Sequence, residues 1–382
     1  MSQERGLGLR LPTRIIVILA IALGLQPLPA QQPAKPHWTV SYSHRDTQTS
    51  LSLGEIRFAD ATHGVAVGRL GKPAEPVALV TADGGASWNL IRLKSYARSL
   101  FFLGVENGWM TAADGLWKSI DGGKSFKKIS GRHLGRVYFL DTQRGFAVGS
   151  DARQLTFGTQ YDSLSATPAG KSPLRREVEV QVPTQQLLET RDGGVTWKEH
   201  PVSKRLGGAA VRSIDFAGKH GVAMGGMQRS GAVQSDGRTS TVRVIAETGD
   251  GGDTWTVSRL TLPGLTCSYR LAPGGVGYAL TSELYRIEAE PTLATRVFAH
   301  PDLVAADVAV LADGSIWLAT IGRAPAGKWV ATEVRMLHST SGSGFTETAI
   351  GSAVKAKFVA LTKAPGGGMW AVTDTGIILK LN

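Results

Sequence analysis

The chain has 382 residues, with 42 Lys and Arg against 31 Asp and Glu, for a net charge of +11 at pH 7. Hydrophobic residues make up 42% of it, enough to fill a sizeable core, which sets aside a disordered chain. Its single cysteine, Cys267, excludes a disulfide framework within the chain and a lipid-attachment cysteine near the N-terminus.

Residues 1–30 read as an export signal. Arg5, Arg10 and Arg14 form a basic start, and Ile15–Leu25 is an apolar run too short to favour a spanning helix. Leu28-Pro29-Ala30 before Gln31 is a plausible cleavage site, although Leu28 is poorer than alanine there. The expectation is an exported protein, periplasmic or secreted, with no membrane span once the signal is removed. Retention of the segment as an anchor is the alternative. The leader holds three arginines and one glutamate, so the remainder keeps +9 of the +11 charge. Those charges are dispersed, without the clustered basic and aromatic runs of a nucleic-acid binder.

Beyond the leader no long segment of helical period occurs. Short apolar runs punctuated by glycine dominate, and 47 of the residues are glycine. This is an all-β profile. The runs repeat. In the first unit Ile56–Asp60 alternates like a half-buried strand, His63-Gly64 turns the chain into Val65–Gly68, and Ala78–Thr81 follows a loop. Then comes Thr81-Ala82-Asp83-Gly84-Gly85-Ala86-Ser87-Trp88 and a fourth short strand. Four strands are the content of one propeller blade.

Later units keep the plan. Ser99–Phe102, Gly108–Thr111 and Gly115–Lys118 lead to the motif Ser119–Phe126; Arg136–Phe139 and Gly145–Gly149 lead to Thr190–Trp197. Ser213–Phe216 and Gly221–Gly225 lead to Thr248–Trp255. Three weaker units follow, one with a worn copy at Ser339–Phe345. The seventh has only three strands, and His37–Val40 resembles the strand that follows each motif, so it is expected to close the last blade. The expected fold is an all-β, seven-bladed β-propeller over 37–382, monomeric, with insertions at about 150–186, 226–242 and 322–331.

The motif is [ST]-x-D-G-G-x-[ST]-[WF], carried by Asp83, Asp121, Asp192 and Asp250 and closed by Trp88, Phe126, Trp197 and Trp255. The carboxylate is expected to accept N–H groups one to three residues on, and the glycines to supply positive φ. The aromatic packs down and starts the next strand. A carboxylate capping its own turn has little capacity left for a metal or for acid catalysis. The eight histidines are scattered without metal-ligand spacing, so no metal or cofactor is expected.

This motif is the Asp-box (BNR repeat), which sialidases, sortilin-type receptors and xyloglucan-active enzymes share. Together with the Gly-x-Ala-Val-Gly second strand, the unit resembles the photosystem II stability/assembly-factor propeller family. The match is clear over about 53–260 and holds in outline over 261–382. The resemblance implies a seven-bladed propeller without known catalysis, acting as an assembly or binding factor.

The enzyme alternative is a sialidase-like glycoside hydrolase or a glycan-binding propeller. No arginine cluster with a sialidase-type Tyr/Glu pair is evident. Glu283 and Tyr285 stand two apart on a strand, and Asp215 lies alone on an inner strand. No spacing argues for two carboxylates about 5 Å apart, as a retaining glycosidase needs. No catalytic residue is assigned.

Blade topology favours a platform. Loops between strands two and three fall on the face opposite the Asp-Gly-Gly turns, and these are the long ones. They carry Arg69, Lys72, Arg153, Lys171, Arg175, Arg176, Arg229, Arg238, Arg323 and Lys328. Loops on a rigid scaffold are where binding concentrates. Arg98, Arg136 and Arg212 precede the aromatics Phe102, Phe139 and Phe216 by three or four residues, which places an arginine at the channel rim in three consecutive blades. Arginine suits bidentate capture of carboxylates. The expected partner is a protein with an acidic or carboxylate-rich segment. Packing of these arginines between blades is the alternative.

Overall fold

The computed structural model describes residues 35–149, 186–206, 211, 213–233, 239–263, 268–272, 275–288, 293–325 and 328–382. Arg153, Lys171, Arg175, Arg176, Arg212, Arg238, Cys267 and the leader 1–30 lie outside them. One compact unit spans Pro36–Asn382.

Seven antiparallel sheets follow one another in chain order, each built on four strands in sequence order except the last, and the sixth gains a fifth short strand, Lys355–Ala356, paired with Thr332–Ser339. Blade 1 is Leu51–Phe58, Gly64–Leu70, Glu75–Thr81 and Asn89–Arg92. The first strands of blades 2 to 7 are Ala97–Phe102, Leu134–Phe139, Ser213–Ala217, Ser268–Leu271, Leu303–Val310 and Val359–Lys363. Each first strand contacts the first strands of the blades on either side, so the seven form a closed inner ring. The architecture is a seven-bladed β-propeller.

Blade 7 is completed by the N-terminal strand Trp38–Ser43, which pairs antiparallel with Ile377–Leu381 from Trp38 opposite Leu381 to Ser43 opposite Ile377. Trp38 is fully buried, edge-on to Trp317 at 5.5 Å, among Met336, Leu361 and Met369. It is therefore a core residue of the closing seam rather than a loop aromatic. Closure removes the exposed edge that a three-stranded last blade would present.

The cores lie between blades. Between blades 7 and 1, Phe58 stacks on Trp370 at 4.6 Å, and Trp88 meets both rings edge-on. In blade 4 the described part of the expected insertion at 226–242 is paired. Its strands His220–Val233 and Thr239–Thr248 continue their pairing through Arg229 opposite Thr241 to Val233 opposite Thr239. The added residues lengthen the hairpin.

The Asp-Gly-Gly turns have one geometry. Thr81 Oγ1 donates to Asp83 Oδ1 at 2.8 Å and accepts the Gly85 N–H at 2.9 Å. Asp83 in turn accepts the Ser87 N–H at 2.9 Å and the Ser87 hydroxyl at 2.5 Å. Asp121, Asp192 and Asp250 repeat this set. The carboxylate reaches four residues on, beyond the expected one to three, because two successive glycines with positive φ (67° and 82° at Gly84 and Gly85) fold the loop back under it. The second glycine has a further reason. A Cβ on Gly252 would collide with the Phe146 ring of the preceding blade. The turn at Ser339–Phe345 lacks the aspartate; there the Ser339 hydroxyl donates to the Ser343 carbonyl at 2.6 Å instead.

Candidate functional site: the loop-rich face and the channel

Hydrogen bonds fix which loops share a face. Within each of blades 1 to 4 the Asp-Gly-Gly turn donates to the turn between strands one and two, as Gly84 N–H to Thr62 O, Gly122 to Val105, Gly193 to Gln143 and Gly251 to Lys219, all at 2.9 Å. On the opposite face, loops between strands two and three bond the segments entering the first strands: Gly71 N–H to Ser50 O at 2.9 Å and Arg323 N–H to Asp302 O at 2.7 Å. The described basic loop residues Arg69, Lys72, Arg323 and Lys328 belong to this second face, as does the start of every inner strand. Arg69 lies over the Tyr96 ring at 5.2 Å, and Arg323 Nε donates to the Pro301 carbonyl at 2.8 Å. Arg229 has its backbone on the lengthened hairpin of blade 4.

At the rim, Arg98 and Arg136 both sit on register breaks of their inner strands. Pairing jumps from Ala97 opposite Ala112 to Ser99 opposite Thr111, and from Leu134 opposite Gly149 to Val137 opposite Ala147. Such bulges leave a residue out of the ladder and re-aim its side chain. Arg98 is half-buried, and burial holds its guanidinium below the ordinary value. Arg136 reaches further into the protein. Burial pushes its pKa down to about 10, and Arg270 and Arg57 push the same way while Glu55 and Asp215 oppose them. Burial, more than any neighbouring charge, is what disfavours the charged form there.

Sequence reading missed most of the groups around Arg136. Arg57 pairs with Glu55 at 2.7 Å and donates to Thr362 Oγ1 at 3.3 Å. Arg270 pairs with Asp307 at 3.2 Å. Three carboxylates each accept a backbone N–H from the inner strand of the next blade: Glu55 from Leu100 at 3.2 Å, Asp215 from Leu271 at 2.9 Å and Asp307 from Leu361 at 2.9 Å. The signal available was Glu55-x-Arg57, with Asp307 in the same register as Glu55. It shows only once the inner strands are aligned by their pairing partners.

The seven-bladed fold is shared with solved structures. No protein-family model matches the chain, and no curated protein does. A structure described as YCF48 bound to D1 peptide superposes with a TM-score of 0.58 at 14% identity, covering 93% of this chain and 99% of that one. YCF48 from Cyanidioschyzon merolae gives 0.55 at 15% identity, covering 91% and 99%. An ancestral GH74 enzyme gives 0.51 at 12% identity, covering 89% of this chain and 45% of that one. These likenesses concern the fold.

The other residues singled out in the sequence have structural tasks here. The Tyr285 hydroxyl donates to Glu283 Oε2 at 2.6 Å, and Arg296 lies 3.8 Å from the other oxygen, so this pair is tied up in a buried turn of blade 5. Asp83, Asp121, Asp192 and Asp250 are committed to their turns. Trp197 and Trp255 donate their indole N–H to Gly194 O at 2.9 Å and Gly252 O at 3.1 Å. Trp88 donates to Ser41 Oγ at 3.0 Å, fastening the closing strand. Phe126 packs beside Val65, Leu100 and Trp117 between blades 1 and 2. Among the described residues no group of three or more His, Cys, Asp or Glu is placed to hold a metal, and no helix is long and apolar enough to cross a membrane.

Proposed function

We propose that this protein is an exported, non-catalytic binding platform that holds a carboxylate-rich segment of another protein on its loop-rich face, aiding the assembly or stability of a complex. The observation that carries the reading is Arg136. It stands at the channel mouth on a strand bulge, on the face where Arg98 and the described basic loop residues lie. Arg153, Arg175, Arg176, Arg212 and Arg229 are assigned to the same surface from their places in the chain. A rigid ring presenting guanidinium groups around an opening suits an extended acidic segment, because each carboxylate takes paired N–H donors. One of the structures sharing this fold is described as bound to a D1 peptide, which supports a peptide as the kind of ligand.

The enzyme alternative draws on the GH74 likeness. Against it stand the inner-strand carboxylates. Asp307 uses both oxygens, and Glu55 and Asp215 one each, in bonds that hold neighbouring blades together, and the other oxygen of Glu55 pairs with Arg57 on its own strand. Such groups are poorly placed to exchange protons with a substrate.

The two readings separate in one experiment. A fluorescent acidic peptide with a free C-terminus is titrated into the protein across a salt series, beside a panel of fluorogenic sialosides and glucosides. The platform reading expects saturable binding that weakens as salt rises and no turnover. Turnover without peptide binding would overturn it.

A further inference from the structure

Of the nine tryptophans, eight are buried or half-buried in the cores between blades, and one, Trp329, is 53% exposed. Val330 beside it is 44% exposed. Both lie in the loop 323–331, between the second and third strands of blade 6, Ile316–Gly322 and Thr332–Ser339, and so on the loop-rich face. The other exposed large apolar side chains described lie elsewhere. Val40 and Leu90 are on outer strands, and Leu103, Ile120 and Val195 are at turns of the opposite face.

The loop is held at both ends. Arg323 donates its backbone N–H to Asp302 O at 2.7 Å and its Nε to Pro301 O at 2.8 Å, and Thr332 Oγ1 donates to Gly322 O at 2.7 Å. The Lys328 N–H bonds Pro325 O at 3.0 Å, closing a turn just before the tryptophan. Blade 6 is the one described sheet with a fifth strand, and that strand braces the far end of this loop. Ala356 lies opposite Thr332 and Lys355 opposite Glu333, and the Val334 N–H bonds Val354 O at 2.8 Å.

An exposed indole on a fixed support suits an anchor. Covering the ring removes apolar surface from water, and a braced loop has little freedom left to lose. Tryptophan is enriched among the residues that dominate binding energy. Charge narrows what can cover it. The loop 323–331 holds Arg323 and Lys328 and no acid. On the adjoining segments Glu333 is paired with Arg335 at 3.1 Å, which leaves Asp302 against the loop's two cations. A partner's lysine or arginine, which would otherwise suit the ring face, is therefore disfavoured. An apolar side chain with carboxylates on either side meets both the ring and the cations.

We infer that Trp329 is the apolar anchor of the loop-rich face, and that the segment it takes carries an aliphatic or aromatic side chain flanked by carboxylates. This rests on the binding reading above and names the residue that sets its specificity. The basic residues attract any acidic chain, whereas the indole selects one that brings an apolar residue into register.

A fluorescent peptide of Glu and Ser with a free C-terminus is the reference probe. In a series of equal charge, one Leu replaces Ser at each position in turn. Every peptide is titrated into wild type, Trp329→Ala and Trp329→Phe. Because the ring is exposed, the three proteins should melt within about 2 °C of one another. At least one leucine register should bind wild type about tenfold more tightly than the reference. Trp329→Ala should abolish that gain while binding the reference within about twofold of wild type, and Trp329→Phe should keep part of it. Saturable binding of all peptides with no gain from leucine in any register would overturn the anchor and leave the acidic-segment reading standing. A gain that survives Trp329→Ala would do the same. If neither the reference nor any leucine peptide binds, the reading of the face fails and the anchor with it.

Discussion

Asp192 gathers the hydrogen bonds of its turn into one carboxylate, accepting from Thr190, the Thr196 N–H and the Thr196 hydroxyl. Those donors hold its pKa at about 2, below the ordinary 3.8, as they do for Asp83. For an acid held below its unfolded value, the stabilisation is present above pH 4 and is lost as pH falls through about 2. Acid unfolding should therefore set in between pH 4 and pH 2. Asp192→Asn should melt lower than wild type at pH 7 and level with it near pH 2. A constant difference between the two proteins across that range, read by calorimetry, would contradict this account of the turn. The turn was legible in the sequence because every donor and acceptor lies within a few residues. Its one misjudged detail, the reach of the carboxylate, follows from two consecutive left-handed glycines that the spacing alone does not fold.

At the scale of the strand, the closing element was readable because Trp38-Thr39-Val40 repeats the pattern after each turn and the seventh unit lacked a partner. Trp38 is fully buried against Trp317, so Trp38→Ala should cost about 3–5 kcal/mol by cavity formation. Deleting residues up to Ser43 should replace a single cooperative transition with a broad one and leave the protein prone to association through the bared edge of Ile377–Leu381. A shortened protein that melts sharply at the wild-type temperature would mean the ring does not depend on this strand. The bulges at Arg98 and Arg136 were not legible. A register break depends on which residues of the facing strand are already paired, and nothing local to Ala97-Arg98-Ser99 announces it. The hairpin extension of blade 4 was read as an insertion over 226–242, whereas Met227, Gln228, Arg229 and Val233 pair with Arg243, Val242, Thr241 and Thr239 across it.

For the whole molecule, the ring decides what its charges can do. Three of the inner acids are committed to holding blades together, and Arg57 and Arg270 are paired with two of them, while Arg136 is held below the ordinary arginine value chiefly by burial. That arrangement was half visible in advance. The arginines before the aromatics of blades 2 and 3 stood out in the chain, while the carboxylates that act on Arg136 come from blades 1 and 4 and meet it only when the ring closes. Each charge-assisted hydrogen bond to a carboxylate is worth roughly 1.5–3 kcal/mol, and 1.4 kcal/mol corresponds to about a decade in affinity. The most direct measurement is the affinity of the acidic peptide for Arg98→Ala/Arg136→Ala, beside Asp192→Ala as a control on the opposite face. The account predicts that the arginine variant folds and binds on the order of a hundredfold more weakly, while the folded fraction of Asp192→Ala binds like wild type. A folded arginine variant that holds the peptide at wild-type strength, or a loss confined to Asp192→Ala, would contradict it.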